Sequence, residues 1–133
     1  MQYIVNRENK MPTEFPRMTS ILPSSQIEAV SSLTEIWEGD LYFCLEQRKV
    51  SVQNQVINLT VREFDALHLL IINKKRVMTF ETISYHVWGE DYIDVTTQAI
   101  HNLMSRLRQK LQTVPGMPDY IISIRGVGYK FDS

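Results

Sequence analysis

Between residues 97 and 112 the polar side chains are sorted by type as well as by spacing. At about 100° per residue, Gln98, Asn102, Ser105 and Gln109 project from one side of a helix. His101, Arg108 and Gln112 stand on one flank and Arg106 on the other. Amide groups can pair the edge of adenine, and an arginine can grip guanine or a phosphate. No carboxylate occurs from Ala99 to Pro118. A merely solvated helix face usually mixes Glu with Lys, whereas a face turned to a polyanion must leave acids out because they would repel phosphate. The chemistry offered is nucleic-acid recognition, with Gln98 among the base-facing candidates.

A second group lies at Arg125-Gly126-Val127-Gly128-Tyr129-Lys130-Phe131. Two glycines permit positive φ in a tight turn, and Arg125 and Lys130 flank it within reach of a backbone phosphate or a minor groove. The G-x-G lies between two strands rather than ahead of a helix, so it lacks the geometry that cradles a dinucleotide phosphate.

Other reactive residue types form no site. His68, His86 and His101 contain no i, i+4 pair and no H-E-x-x-H, so no metal is expected; His68 and His86 are read as residues of the core edge. No serine or cysteine has a base near it in sequence to suggest nucleophilic catalysis. Cys44 is the only cysteine and sits in the apolar run Leu41–Leu45, as a small core residue does. Neither an enzyme nor a cofactor is expected.

The elements that must position these groups are legible in turn. Leu41–Glu46, Lys49–Gln53 and Gln55–Leu59 are rich in β-formers and separated by polar turns, which predicts a small antiparallel meander. Thr60 and Glu63 spell a capping box, and Leu59 and Phe64 a hydrophobic staple, at the start of a first helix. Phe64, Leu67, Leu70 and Ile71 share its inner face. After the extended link Val77–Met78, Thr79 caps a second helix, Phe80–Trp88, with Ile83 and Val87 inward and Gly89 closing it. Glu90–Val95 reads as a loop. The third helix, Thr97–Gln112, carries Ile100, Leu103, Met104, Leu107 and Leu111 in one stripe. Pro115-Gly116-Met117-Pro118 ends it, and Tyr120–Arg125 and Tyr129–Phe131 form a hairpin.

The 133 residues, 44% hydrophobic and 22% charged, suit one soluble globular domain with or without an arm. No run of about 18 apolar residues is present, and the polar, proline-interrupted start lacks the apolar core of a secretory signal. A cytoplasmic protein without membrane contact is expected. The net charge of −1 weighs mildly against a polyanion partner. Its distribution weighs the other way: Arg106, Arg108, Lys110, Arg125 and Lys130 stand against Asp119 and Asp132 in residues 98–133, while acids dominate residues 1–40. Residues 1–38 read as an N-terminal arm with a short helix over 25–37, where Ile27, Val30, Leu33 and Trp37 recur at helical spacing, and residues 39–133 as the folded domain.

Four motifs now stand together in order. Leu59-Thr60-x-x-Glu63-Phe64, Val87-Trp88-Gly89, Arg106-Leu107-Arg108-x-Lys110-Leu111 and Ile124-Arg125-Gly126-x-Gly128-Tyr129-x-Phe131 resemble the OmpR/PhoB-type winged-helix effector domain of bacterial response regulators. The resemblance covers about Leu41 to Asp132. It implies an α+β winged helix-turn-helix: a four-stranded N-terminal antiparallel sheet, a three-helix core and a C-terminal β-hairpin wing. It implies sequence-specific binding of double-stranded DNA in transcription regulation, with the recognition helix in the major groove and the wing on an adjacent minor groove. By position it makes His101, Asn102, Ser105 and Arg106 base-facing, and Arg108, Ser123, Arg125 and Lys130 contacts to the backbone. The loop holding Glu90, Asp91 and Tyr92 is similar to the segment that meets RNA polymerase in activators of the family. Departures stand at Gln98, where the family often has Arg, at His101, where it often has Asp, and at Phe80, where an Arg is common.

The family usually carries a phosphoacceptor receiver domain ahead of this module, which needs on the order of a hundred residues. Residues 1–38 leave no room for one, so DNA binding is expected to be independent of phosphorylation of this chain. A lone module has a small interface, and a homodimer on repeated half-sites is expected to supply useful occupancy. The competing reading is a winged helix that binds protein instead of DNA, since fold alone does not fix function.

Overall fold

The structure is a computed structural model that describes residues 32–132. Its first layer is an antiparallel sheet in the order β1-β2-β3-β4: β1 Glu35–Glu38, β2 Leu41–Cys44, β3 Lys49–Val52 and β4 Gln55–Val56. Leu41, Phe43, Val50 and Val52 turn their side chains into the core, and Phe43 stacks on Phe64 at 5.0 Å between ring centroids.

Three helices follow: α1 Val61–Ile72, α2 Phe80–Trp88 and α3 Thr97–Leu111. Each starts at a threonine whose hydroxyl accepts a backbone N–H, namely Thr60, Thr79 and Thr96. The capping box of α1 is complete: the Glu63 N–H donates to Thr60 Oγ1 at 3.2 Å, and the Glu63 carboxylate accepts the Thr60 N–H at 3.0 Å. Gly89 ends α2 at φ +65°. All five residues of the α3 stripe are buried, against Phe64, Leu67, Leu70 and Ile71 of α1 and Ile83 of α2 in one core.

The wing is β6 Ile121–Ile124 and β7 Gly128–Phe131, joined through Gly126 at φ +76°. A third strand, β5 Met78–Thr79, pairs with β7 and gives the sheet order β5-β7-β6. The hairpin is thereby fixed to the chain entering α2. Gly128 is needed at this crossing, because a Cβ there would lie 1.9 Å from the Met78 carbonyl oxygen. The base of the wing is also tied to the first sheet, where the Tyr120 hydroxyl donates to the Glu38 carbonyl at 2.8 Å.

Several elements differ from expectation. Residues 35–37, assigned by pattern to the end of a helix over 25–37, form β1 together with Glu38, in register with β2 through Trp37↔Tyr42; residues 25–31 lie outside the described residues. Four residues are too few to display a period of two, and pairing with β2 decides the outcome. A chain beginning at Gly39 would therefore lack the edge strand of the sheet. The loop at Glu90–Val95 is a 3-10 turn over Gly89–Asp94. The fourth strand stops at Val56 instead of Leu59, and the link at Met78 is a strand. Cys44 is fully buried, as expected.

Candidate nucleic-acid interface

The amphipathic stripe of α3 leaves a polar ridge outside. Gln98, Asn102, Ser105, Arg106 and Gln109 are exposed. Gln98 and Asn102, one turn apart, join through a 3.0 Å bond in which the Gln98 amide donates.

Arg106 has 60% of its side chain exposed. Its Nε lies 3.7 Å from Glu63 Oε2, an ion pair too long for a hydrogen bond. Arg108, read from the sequence as a backbone contact, pairs in the free chain with Asp119 at 3.0 Å across the turn that follows α3. Lys110 reaches Glu63 Oε1 at 2.7 Å. Burial by itself pushes the Glu63 carboxyl up, but the Lys110 ammonium and the Thr60 N–H outweigh it and hold the group below the usual range.

His101 is drawn inward. It is half-buried, with its Nδ1 hydrogen-bonded to the Tyr129 hydroxyl. Phe80 packs edge-on to both rings, at 5.4 Å from His101 and 6.4 Å from Tyr129. The departures at Phe80 and His101 thus meet in one aromatic joint between α2, α3 and the wing. Ser123 pairs across the wing with Tyr129, and burial raises the Tyr129 pKa.

On the wing, Arg125 is exposed and its side chain has no partner among the described residues, while Lys130 is half-buried. In the 3-10 turn, Glu90 and Asp91 are exposed and Tyr92 is half-buried, edge-on to Tyr85 at 5.3 Å. His68 is half-buried beside Phe43, and its ring centroid lies 5.6 Å from that of exposed His86. No group of three His, Cys, Asp or Glu among the described residues can hold a metal ion, and no described helix is long and apolar enough to cross a membrane.

The sequence pattern missed Glu63 as a member of this site. The capping box accounts for its position in α1, and nothing in the spacing reveals that it reaches Lys110, 47 residues on.

Three helices closed by a hairpin wing and preceded by an antiparallel sheet define the winged helix-turn-helix class, here of the OmpR/PhoB type. The chain belongs to the family "Transcriptional regulatory protein, C terminal", which matches residues 54–131. It is 38% identical over 96 residues to the sensory transduction protein RegX3 of Mycobacterium leprae, covering 71% of this chain and 48% of that protein. The chain thus spans about half the length of the curated relatives it matches. Among solved structures it resembles the DNA-binding domain of Klebsiella pneumoniae RstA in complex with the RstA box, with TM-score 0.64, 26% identity, and coverage of 74% of this chain and 96% of that one. It also resembles the DNA-binding domain of Escherichia coli CpxR, with TM-score 0.65, 29% identity, and coverage of 75% and 97%.

Proposed function

We propose that this chain binds specific sequences in double-stranded DNA and thereby regulates transcription. In this reading α3 lies in the major groove, and the wing lies on the adjacent minor groove and backbone. The observation that carries it is the acid-free outer face of α3, on which Arg106 stands exposed. A guanidinium so placed can form a bidentate pair with guanine, while the Gln98 and Asn102 amides suit adenine. Arg125, exposed at the wing turn, supplies the phosphate or minor-groove contact. Ser123 and Lys130 stand beside it as weaker backbone contacts. His101 acts less as a base reader than as the joint that holds the wing against α3.

The RstA domain, which shares the fold, was solved with its DNA box, and this supports the same partner here. The turn bearing Glu90, Asp91 and Tyr92 is proposed to face RNA polymerase, and a second copy on a neighbouring half-site to raise occupancy. Because Arg106 and Arg125 are already exposed, the chain needs no phosphorylation to present its DNA face. Acetyl phosphate that tightened binding would refute that part.

The test is a titration of a selected duplex and a random duplex with the wild-type chain and with Arg106→Ala. The substitution should cost about 1–3 kcal/mol on the selected site and flatten preference at one or two base pairs. Equal losses on both duplexes would make Arg106 a phosphate contact. The net charge of −1 favours a second reading, a winged helix that binds protein; failure to be retained on either heparin or DNA at low salt would establish it over the first.

A further inference from the structure

Glu63 is costly where it sits. Only 2% of its side chain is exposed, and a buried carboxylate loses hydration that ion pairs repay only with good geometry. A capping box needs no such burial, since its bonds form equally well at a surface. What the burial adds is contact with α3. Glu63 Oε1 takes Lys110 at 2.7 Å, and Oε2 faces Arg106 Nε at 3.7 Å, so one carboxylate engages two cations spaced by one turn of the helix that carries the polar ridge. Arg108, the remaining arginine of α3, is occupied by Asp119. The guanidinium that faces Glu63 along its Nε edge is therefore the one that stays exposed and without a hydrogen bond among the described residues.

We propose that Glu63 is a positioning residue for DNA specificity: its buried charge, 3.7 Å from Arg106 Nε, draws the inner edge of the guanidinium toward α1 and narrows the orientations its exposed part can take. An unrestrained arginine would keep its charge and its attraction to phosphate but would lose the fixed geometry that distinguishes one base edge from another. Lys110 anchors the carboxylate from the other side, and the capping box fixes Glu63 to the first turn of α1. The precision of base reading is thus set by a residue that touches no DNA. This inference rests on Arg106 being the base reader.

The test is the ratio of affinities for the selected and random duplexes in a double-mutant cycle of Glu63→Gln and Arg106→Ala. Glutamine keeps the capping box, so the chain should fold. Glu63→Gln should lower the ratio about tenfold, within the range of a single lost base contact, and should lower it no further when Arg106 is already alanine. A ratio that is unchanged, or that falls equally in the Arg106→Ala background, would overturn the proposal. Arg106→Ala that leaves the ratio intact would instead remove the base-reader assignment itself.

Discussion

Gly128→Ala isolates the joint on which the wing depends. The new Cβ would lie 1.9 Å from the Met78 carbonyl oxygen and 2.9 Å from Thr79 Cα, both of them backbone atoms that no rotamer change can move. Restoring even a tight 3.0 Å contact requires β5 and β7 to separate by about 1 Å, enough to break bonds between strands of which β5 has only two residues. Overpacking of this kind costs about 1–3 kcal/mol, and a lost backbone hydrogen bond adds about 1 kcal/mol. The expected loss is about 2–4 kcal/mol, a drop in Tm of roughly 10–25 °C for a domain of this size. Gly126→Ala is the control: its Cβ meets nothing within 4 Å, and only the φ of +76° opposes it, for about 1–2 kcal/mol. Thermal and urea melts of both variants decide the matter. If Gly128→Ala melts within a few degrees of wild type, or no lower than Gly126→Ala, the claim that β5 clamps the wing is wrong.

Three further outcomes are expected. Arg125→Ala should weaken binding to selected and random duplexes alike and reduce the salt slope by about one unit, measured by titration at several salt concentrations. Asp119→Asn should free Arg108, tightening binding to random DNA and steepening its salt slope by up to about one unit; unchanged binding would mean that Arg108 cannot reach a phosphate. Stability should fall with acid in two windows, followed by melts from pH 7.5 to 3.5. Burial, reinforced by the neighbouring His86, lowers the His68 pKa, so the unfolded chain takes up the proton first and stability is lost as pH falls from 6.5 toward the depressed folded value. The Glu63 carboxyl, which Lys110 and Thr60 hold down against the effect of burial, contributes stability that is complete above 4.5 and lost as pH falls through its lower folded value. Glu63→Gln should remove part of the second loss and none of the first.

What could be read in advance follows from the range of each interaction. The threonine cap of α1, the five-residue stripe of α3 and the glycine turn of the wing are local patterns that announce themselves over a few residues, and the structure keeps all three. Strands of two to four residues are different. β1 and β5 exist because a partner strand accepts their hydrogen bonds, and their own sequence carries too little signal to separate strand from helix or link. The same division runs through the site. The polar face of α3 was legible because helical geometry alone sorts its side chains. The pairing of Arg108 with Asp119, the withdrawal of His101 into an aromatic joint and the reach of Glu63 to Lys110 depend on how the elements cross, which no spacing along the chain records. Phe80 shows the difference most clearly. Against the family pattern it is one of three separate departures, whereas in the fold it packs on His101 and Tyr129, so two of the unusual residues explain one another.

The most direct test of the central claim is selection of bound duplexes from a random DNA pool by the full 133-residue chain, with binding of the recovered sequences measured at rising salt. The account predicts recovery of one short motif, bound more tightly than random DNA of equal length, with affinity falling linearly in log salt as phosphate contacts are lost. Arg106→Ala should select a motif degenerate at one or two of the same base pairs. A pool that emerges without an enriched motif, or retention that is equal for all sequences, would contradict the assignment of α3 as a reader of bases.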